Sequence, residues 1–151
     1  MPIDERDSGA GPRSETHHDT ALALDLLGRT GYGSIATSMR ALPCMASARH
    51  IVTDDGIVLR LHRGYGYHLA CIGSVVAYGA DNLGAASAAP VSGAWSVQCV
   101  GMCEAASPTE SQLLRFGPAP EFLDGERYEA VYLRITPQFA TVHAAGGGPI
   151  A

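Results

Sequence analysis

The residues of this chain best suited to chemistry gather in one stretch, Ala48 to Leu69, which holds Arg49, His50, Arg60, His62, Arg63 and His68. It reads as two β-strands joined by a hairpin turn, Thr53-Asp54-Asp55-Gly56, with Asp55-Gly56 supplying the positive φ that tight turns demand. Side chains two apart on a strand share a face, so Arg60 and His62 converge, and Arg49 can join them from the facing strand. Guanidinium forks bind phosphate or carboxylate bidentately, and imidazole adds charge near or below its pKa. All ten basic residues are arginines, so an anion site here must draw on guanidinium, imidazole and backbone amides. The bland reading of the same residues is a solvated hairpin face.

Other candidates have less local support. Tyr65 and Tyr67 flank Gly66 in the loop after the second strand and read either as lining a substrate cavity or as ordinary exposed loop aromatics. Trp95, the single tryptophan, suits stacking on a planar ring or filling a subunit interface. His50 is a candidate catalytic residue that could polarise a substrate carbonyl, with a hydrogen-bonded core histidine as the alternative. Cys44, Cys71, Cys99 and Cys103 lack CxxC spacing and read as buried free thiols, so no metal site is expected. His17 and His18 lie in a polar segment and read as solvated. There is no Ser-His-Asp, HExxH, Walker or GxGxxG pattern to support a hydrolase, zinc-protease or Rossmann reading.

These side chains need a scaffold, and 151 residues suffice for one domain with a real core. A formal charge of −5 and a pI near 5.6 argue against general nucleic-acid or membrane-surface binding, while a small anion needs only a local pocket. Residues 1–19, rich in acids, Gly and Pro with no apolar run, read as a flexible tail without a signal peptide, which implies a cytoplasmic protein. The apolar run 69–80 falls short of the roughly 20 residues that cross a bilayer.

The pattern predicts a helix from Asp19-Thr20 to Gly28 or Gly31, and strands over 34–37, 44–52, 57–62, 74–80, 94–105 and 128–136. Short helices are expected over 68–72 and 109–116. Residues 20–143 then form the domain and 144–151 a second flexible tail. Six strands with short flanking helices imply an α+β, mostly β domain built on an antiparallel barrel-like sheet.

In serial order, LLGRTGYGSIAT, LP before a strand, DDGIVLRL, a glycine-containing loop with HL, VVAYGADNL, GAWSVQCVGMCEA and YLRITPQ resemble the pyridoxamine 5'-phosphate oxidase-like superfamily of FMN-binding split barrels, over roughly Ala21 to Val142. The resemblance implies a six-stranded split β-barrel and a homodimer with two equivalent interface sites, each holding FMN or, in some branches, a deazaflavin (coenzyme F-420). In that family an arginine and a threonine of the third strand, and a lysine before a leucine in the next loop, grip the cofactor phosphate. Here Arg60 keeps the arginine, Leu61 stands at the threonine, and His68, before Leu69, stands at the lysine.

The implied cofactor-binding set is Arg49, Arg60, His62, Arg63, His68 and Trp95, in an oxidoreductase for a small organic molecule. An Ala- and Gly-rich, lysine-free composition fits a bacterial origin, and there the resemblance implies a reductase that tailors natural products. The alternative class is a haem-binding relative, with His50, His62, His68 or His143 as axial ligand, or a cofactor-free barrel with a binding or non-redox role.

Overall fold

A computed structural model describes residues 15–84 and 93–145; the remainder of both expected tails lies outside the described residues. Strand β1 (Glu15–His17) falls within the stretch read as a tail. Helix α1 (Thr20–Leu27) starts where Asp19 accepts a hydrogen bond from the Leu22 N–H (3.1 Å) and ends at Gly28. Its Ala23, Leu26 and Leu27 are fully buried in the main core.

Strands β2 (Tyr32–Met39) and β3 (Leu42–Thr53) form a hairpin over Arg40-Ala41, both at positive φ (52° and 65°). Strand β4 (Gly56–His62) pairs with β3 across Asp54-Asp55. Of the expected Asp55-Gly56 pair only Gly56 has positive φ (131°), and the cause there is also steric. A Cβ on Gly56 would stand 2.3 Å from the Ile135 carbonyl oxygen. After a 3₁₀ turn (Arg63–Tyr65) come α2 (Tyr67–Cys71), β5 (Val75–Asp81) and β6 (Trp95–Ala105). Helix α3 (Glu110–Phe116) opens with a reciprocal cap between Thr109 and Gln112. A small hairpin, β7 (Phe122–Leu123) and β8 (Glu126–Arg127), precedes the long β9 (Ala130–Ala144).

The sheet runs β1-β9-β4-β3-β2-β5-β6, and β6 pairs back onto β9, which closes an antiparallel barrel of six strands. The split-barrel expectation is met. Strand β9 passes straight through Pro137, where the expected strand stopped, because the register shifts there between Val100 and Gly101. A bulge tolerates the missing proline N–H. Gly101 is forced by the same crossing, since a Cβ would lie 2.0 Å from the Thr136 oxygen.

Strand β4 is buried on both faces, unlike a half-solvated strand. Ile57, Leu59 and Leu61 enter the barrel core beside Leu133 and Ile135. Val58 points outward into a second cluster with Ile51 and Phe116, which α3 supplies. That outer cover makes the environment of Arg60 and His62 a buried one.

Candidate functional site

Arg49 and Arg60 are register partners on β3 and β4, on the face that α3 covers. Arg49 donates from Nε to the Phe116 carbonyl (3.3 Å), from Nη2 to Arg115 (3.0 Å), and from Nη1 to Gly31 (3.0 Å) and to its neighbour His50. Arg60 donates from Nη1 to the Gly117 carbonyl (2.9 Å) and from Nη2 to Pro118 (3.4 Å). Carbonyls left over at a helix C-terminus need outside donors and favour cations, and here two β-strand arginines meet that need. Both guanidiniums lie over the Phe116 ring, at 5.9 and 5.5 Å.

Two residues on from Arg60, His62 stacks on Tyr128 (5.0 Å between centroids, 19° between planes) and meets Tyr65 edge-on at 5.3 Å. Its Nδ1 meets Glu129 twice, at 3.2 Å from the backbone N–H and 3.4 Å from the carbonyl oxygen; the shorter contact has Nδ1 accepting, which leaves the proton of a neutral ring on Nε2. That Nε2 and the Nε of Arg60 are buried and have no hydrogen-bond partner. A buried donor left unmade costs about 1–3 kcal/mol, so the Arg60 Nε is a place where an acceptor would be welcome, whereas the His62 Nε2 sits against Gly64, where a Cβ would lie 2.5 Å from it.

Both side chains line a cavity of about 400 Å³, walled by Tyr32, Tyr65, Tyr128 and Leu123 and containing no carboxylate. Burial raises the Tyr128 hydroxyl's pKa, outweighing the opposite pull of Arg60, so the phenol stays protonated. The cavity can therefore seat a planar ligand that carries an anionic or carbonyl oxygen.

Of the residues singled out from sequence, the structure brings Arg49, Arg60, His62 and Tyr65 to this cavity. His50 lies elsewhere, fully buried, with Nε2 donating to the Leu27 carbonyl (2.9 Å) and Nδ1 paired with the Tyr78 hydroxyl. It pins α1 to the barrel, and burial lowers its pKa. His68 is buried on α2 with Nδ1 unpartnered, and burial followed by the nearby Arg63 lowers its pKa. Arg63 is exposed on the 3₁₀ turn, and Tyr67 packs against the main core. Trp95, 4 % exposed, lines a separate cavity of about 140 Å³ with Leu83 and His143. Tyr32, Leu123, Pro118 and Tyr128 are site residues the sequence did not flag. Of these only Pro118 lies in the Pro-rich segment after α3; Tyr32 is on β2, and Leu123 and Tyr128 follow that segment.

All four cysteines are free thiols. Burial pushes Cys99 up to about 11 and Cys103 up to about 12. Among the described residues no group of three or more His, Cys, Asp or Glu side chains could hold a metal ion, and no helix is long and apolar enough to cross a membrane.

A second surface feature is a cross-strand row on the outer face, Met45-Ala36-Ala77-Val100-Phe139, aligned by the register of β3, β2, β5, β6 and β9. The adjoining row, Ser47-Ser34-Gly79-Gln98-Thr141, is equally free of charge. Met45 and Phe139 are 67 % and 51 % exposed.

Sequence comparison matches residues 19–144 to the family described as pyridoxamine 5'-phosphate oxidase. No curated protein matches the sequence. Among solved structures, the fold is similar to that of the FAD-binding protein from Mycobacterium smegmatis, with 20 % identity, 84 % of this chain and 97 % of that one covered, and a TM-score of 0.58. It is similar to a FAD-binding protein from Mesorhizobium loti at 14 % identity, 91 % and 100 % coverage and a TM-score of 0.59. A FAD and haem binding protein from Mycobacterium smegmatis aligns at 15 % identity, 89 % and 75 % coverage and a TM-score of 0.62.

Proposed function

The chain belongs to the pyridoxamine 5'-phosphate oxidase family, and on that premise we propose that it is a flavin- or deazaflavin-dependent oxidoreductase, working as a homodimer on a small organic molecule. The observation that carries this reading is the buried Arg60 Nε–H, which has no hydrogen-bond partner, on an arginine that lines an aromatic, carboxylate-free cavity together with His62. A cavity of about 400 Å³ lies in the range of small-molecule sites. The residues present thus fit an anionic planar cofactor.

In this reading Arg60 and His62 bind the cofactor's anionic group, with Arg63 and His68 contributing from the following loop. Arg49 adds positive charge while its donors stay on backbone carbonyls. Tyr32, Tyr65 and Tyr128 orient the ring system and exclude water. A bound flavin or deazaflavin would supply hydride transfer, and the protein the orientation and electrostatics. Tyr67 and Trp95 would complete the substrate side and the subunit interface. The homodimer would form through the uncharged outer face centred on Ala36 and Ala77.

Titrating the purified protein with FMN, FAD and coenzyme F-420 tests the proposal. Quenching of flavin fluorescence, with affinity reduced by Arg60→Ala, is the expected result. If none of the three binds, the redox reading fails.

Haem is the second reading. It is favoured by a structural neighbour that binds both FAD and haem and by the unpartnered imidazole Nδ1 of His68. A Soret band that His68→Ala abolishes would establish it. A chain that takes up neither flavin nor haem would leave the cofactor-free alternative.

A further inference from the structure

Segment 118–128 spans the cavity opposite β4 and contributes Pro118, Pro120, Leu123 and Tyr128 to its wall. Its hairpin is self-contained: Phe122 pairs with Arg127, Leu123 with Glu126, and the Tyr128 N–H bonds the Glu121 carbonyl. Among the described residues, no hydrogen bond ties 119–127 to the barrel. Its hydrogen bonds to the barrel lie at its ends, and between them Leu123 is its apolar contact on the cavity wall. At one end Arg60 grips the Gly117 and Pro118 carbonyls, and at the other Glu129 bonds His62 and Arg63.

The two bonds made by Arg60 are unequal in a way that matters. In a guanidinium, Nε–H and Nη2–H lie along one edge and form the side-on fork that binds an oxyanion bidentately. On Arg60 that edge carries the unpartnered Nε and the long 3.4 Å bond to Pro118, while Nη1 makes the 2.9 Å bond to Gly117. The Nη1 corner is a strut. On the Nε–Nη2 edge the Nε is buried without a hydrogen-bond partner, and the Tyr128 hydroxyl of the same segment lies close enough to interact with the guanidinium.

We propose that segment 118–128 is a flap that gates an oxyanion site on the Nε–Nη2 edge of Arg60. A phosphate or carboxylate reaches that edge only when the flap lifts and the Pro118 bond is given up, while the Gly117 bond stays. A charge-assisted bidentate contact is stronger than one long bond to a neutral carbonyl, so the exchange favours the ligand. The exposed Phe122, 58 % accessible at the hairpin, leaves the flap without an apolar anchor of its own there. This proposal rests on the reading of the cavity as an anion-binding cofactor site.

Two measurements decide it. In the ligand-free protein, Arg60→Leu should raise hydrogen exchange across 119–127 and trypsin cleavage after Arg127 by about tenfold, the effect of losing a hydrogen bond to a charged group. Exchange at Leu59 and Leu133 should stay unchanged and so report that the barrel remains folded. Leu123→Ser, which loosens the flap without touching Arg60, should act in the same direction. Unchanged flap rates in both variants overturn the latch. In stopped-flow mixing with FMN, the wild-type association rate should level off at high FMN, because opening becomes limiting, and should rise linearly in Leu123→Ser. A linear rise in the wild type overturns the gate. If FMN fails to bind, the flavin reading falls, and the latch stands or falls on the ligand-free arm.

Discussion

Arg49 and Arg60 face each other across β3 and β4, and their guanidiniums together bind four successive carbonyls, those of Arg115, Phe116, Gly117 and Pro118. Like charges at directly opposed strand positions repel. The carbonyl ends of α3 and the Phe116 ring between the two offset that repulsion. The division of labour is visible in the donors. Arg49 spends Nε, Nη1 and Nη2 on backbone, whereas Arg60 keeps Nε in reserve.

Arg49→Ala should therefore be mainly a stability variant, and Arg60→Ala mainly a binding variant. Removing Arg49 strands several carbonyls and should cost about 3 kcal/mol in urea unfolding, given the worth of hydrogen bonds to charged groups. Its effect on flavin affinity should be smaller than that of Arg60→Ala. The reverse ranking in a binding titration would contradict the assignment of Arg49 as a strut.

Gly56→Ala should destabilise the barrel by about 3 kcal/mol or more, since it adds positive-φ strain to a steric clash. The Cβ would meet the Ile135 carbonyl at 2.3 Å, and that carbonyl belongs to the strand that closes the barrel on β4. A thermal midpoint equal to wild type would show that β4 and β9 can separate locally at little cost.

Much of this was legible in the sequence, for identifiable reasons. The barrel strands advertise themselves through apolar alternation and the capped helices through Asp19 and Thr109. The hairpin β7–β8 does not, although Asp124-Gly125, at φ 52° and 81°, is a strong turn signal. Two-residue strands are too short to show any period. For the same reason Leu123 and Tyr128 could not be foreseen as site residues. The convergence of Arg60 and His62 follows from strand geometry alone, but their partners lie 57 to 67 residues away, a tertiary fact that spacing cannot express. The Pro137 break misled because a bulge on β9 itself, with Gln138 unopposed between Pro137 and Phe139, accommodates it.

Stability should decline in mild acid because of His50. Its pKa is lowered from 6.5, chiefly by burial, so the folded state keeps the ring neutral where the unfolded chain takes up a proton. The contribution is fully present above pH 6.5 and is lost as pH falls below it toward the lowered folded value, with a slope of at most about 1.4 kcal/mol per pH unit. His50→Gln should lower stability at neutral pH through the altered bonds to Leu27 and Tyr78, yet flatten this acid slope. His68, buried with a lowered pKa, works in the same direction, so the slope should shrink rather than vanish. A slope identical to wild type would exclude His50 as a contributor.

Ala77→Glu should yield a monomer if the outer face is the dimer interface. Ala77 lies at the middle of the uncharged row, between Ala36 on β2 and Val100 on β6, and small side chains there let a second sheet approach closely. Burying one unpaired carboxylate per subunit in such a contact costs several kcal/mol, enough to dissociate an ordinary interface. The substitution points away from the core, so the monomer should remain folded. Ser47 borders both this face and the cavity of Arg60 and His62, so a partner subunit docked here would wall the same site. Loss of the dimer should then weaken flavin binding as well, without any change to Arg60 itself. Sedimentation and a flavin titration on the same preparation check both halves. A folded dimer of Ala77→Glu would place the interface elsewhere, and a monomer with full flavin affinity would show that one chain completes the site alone.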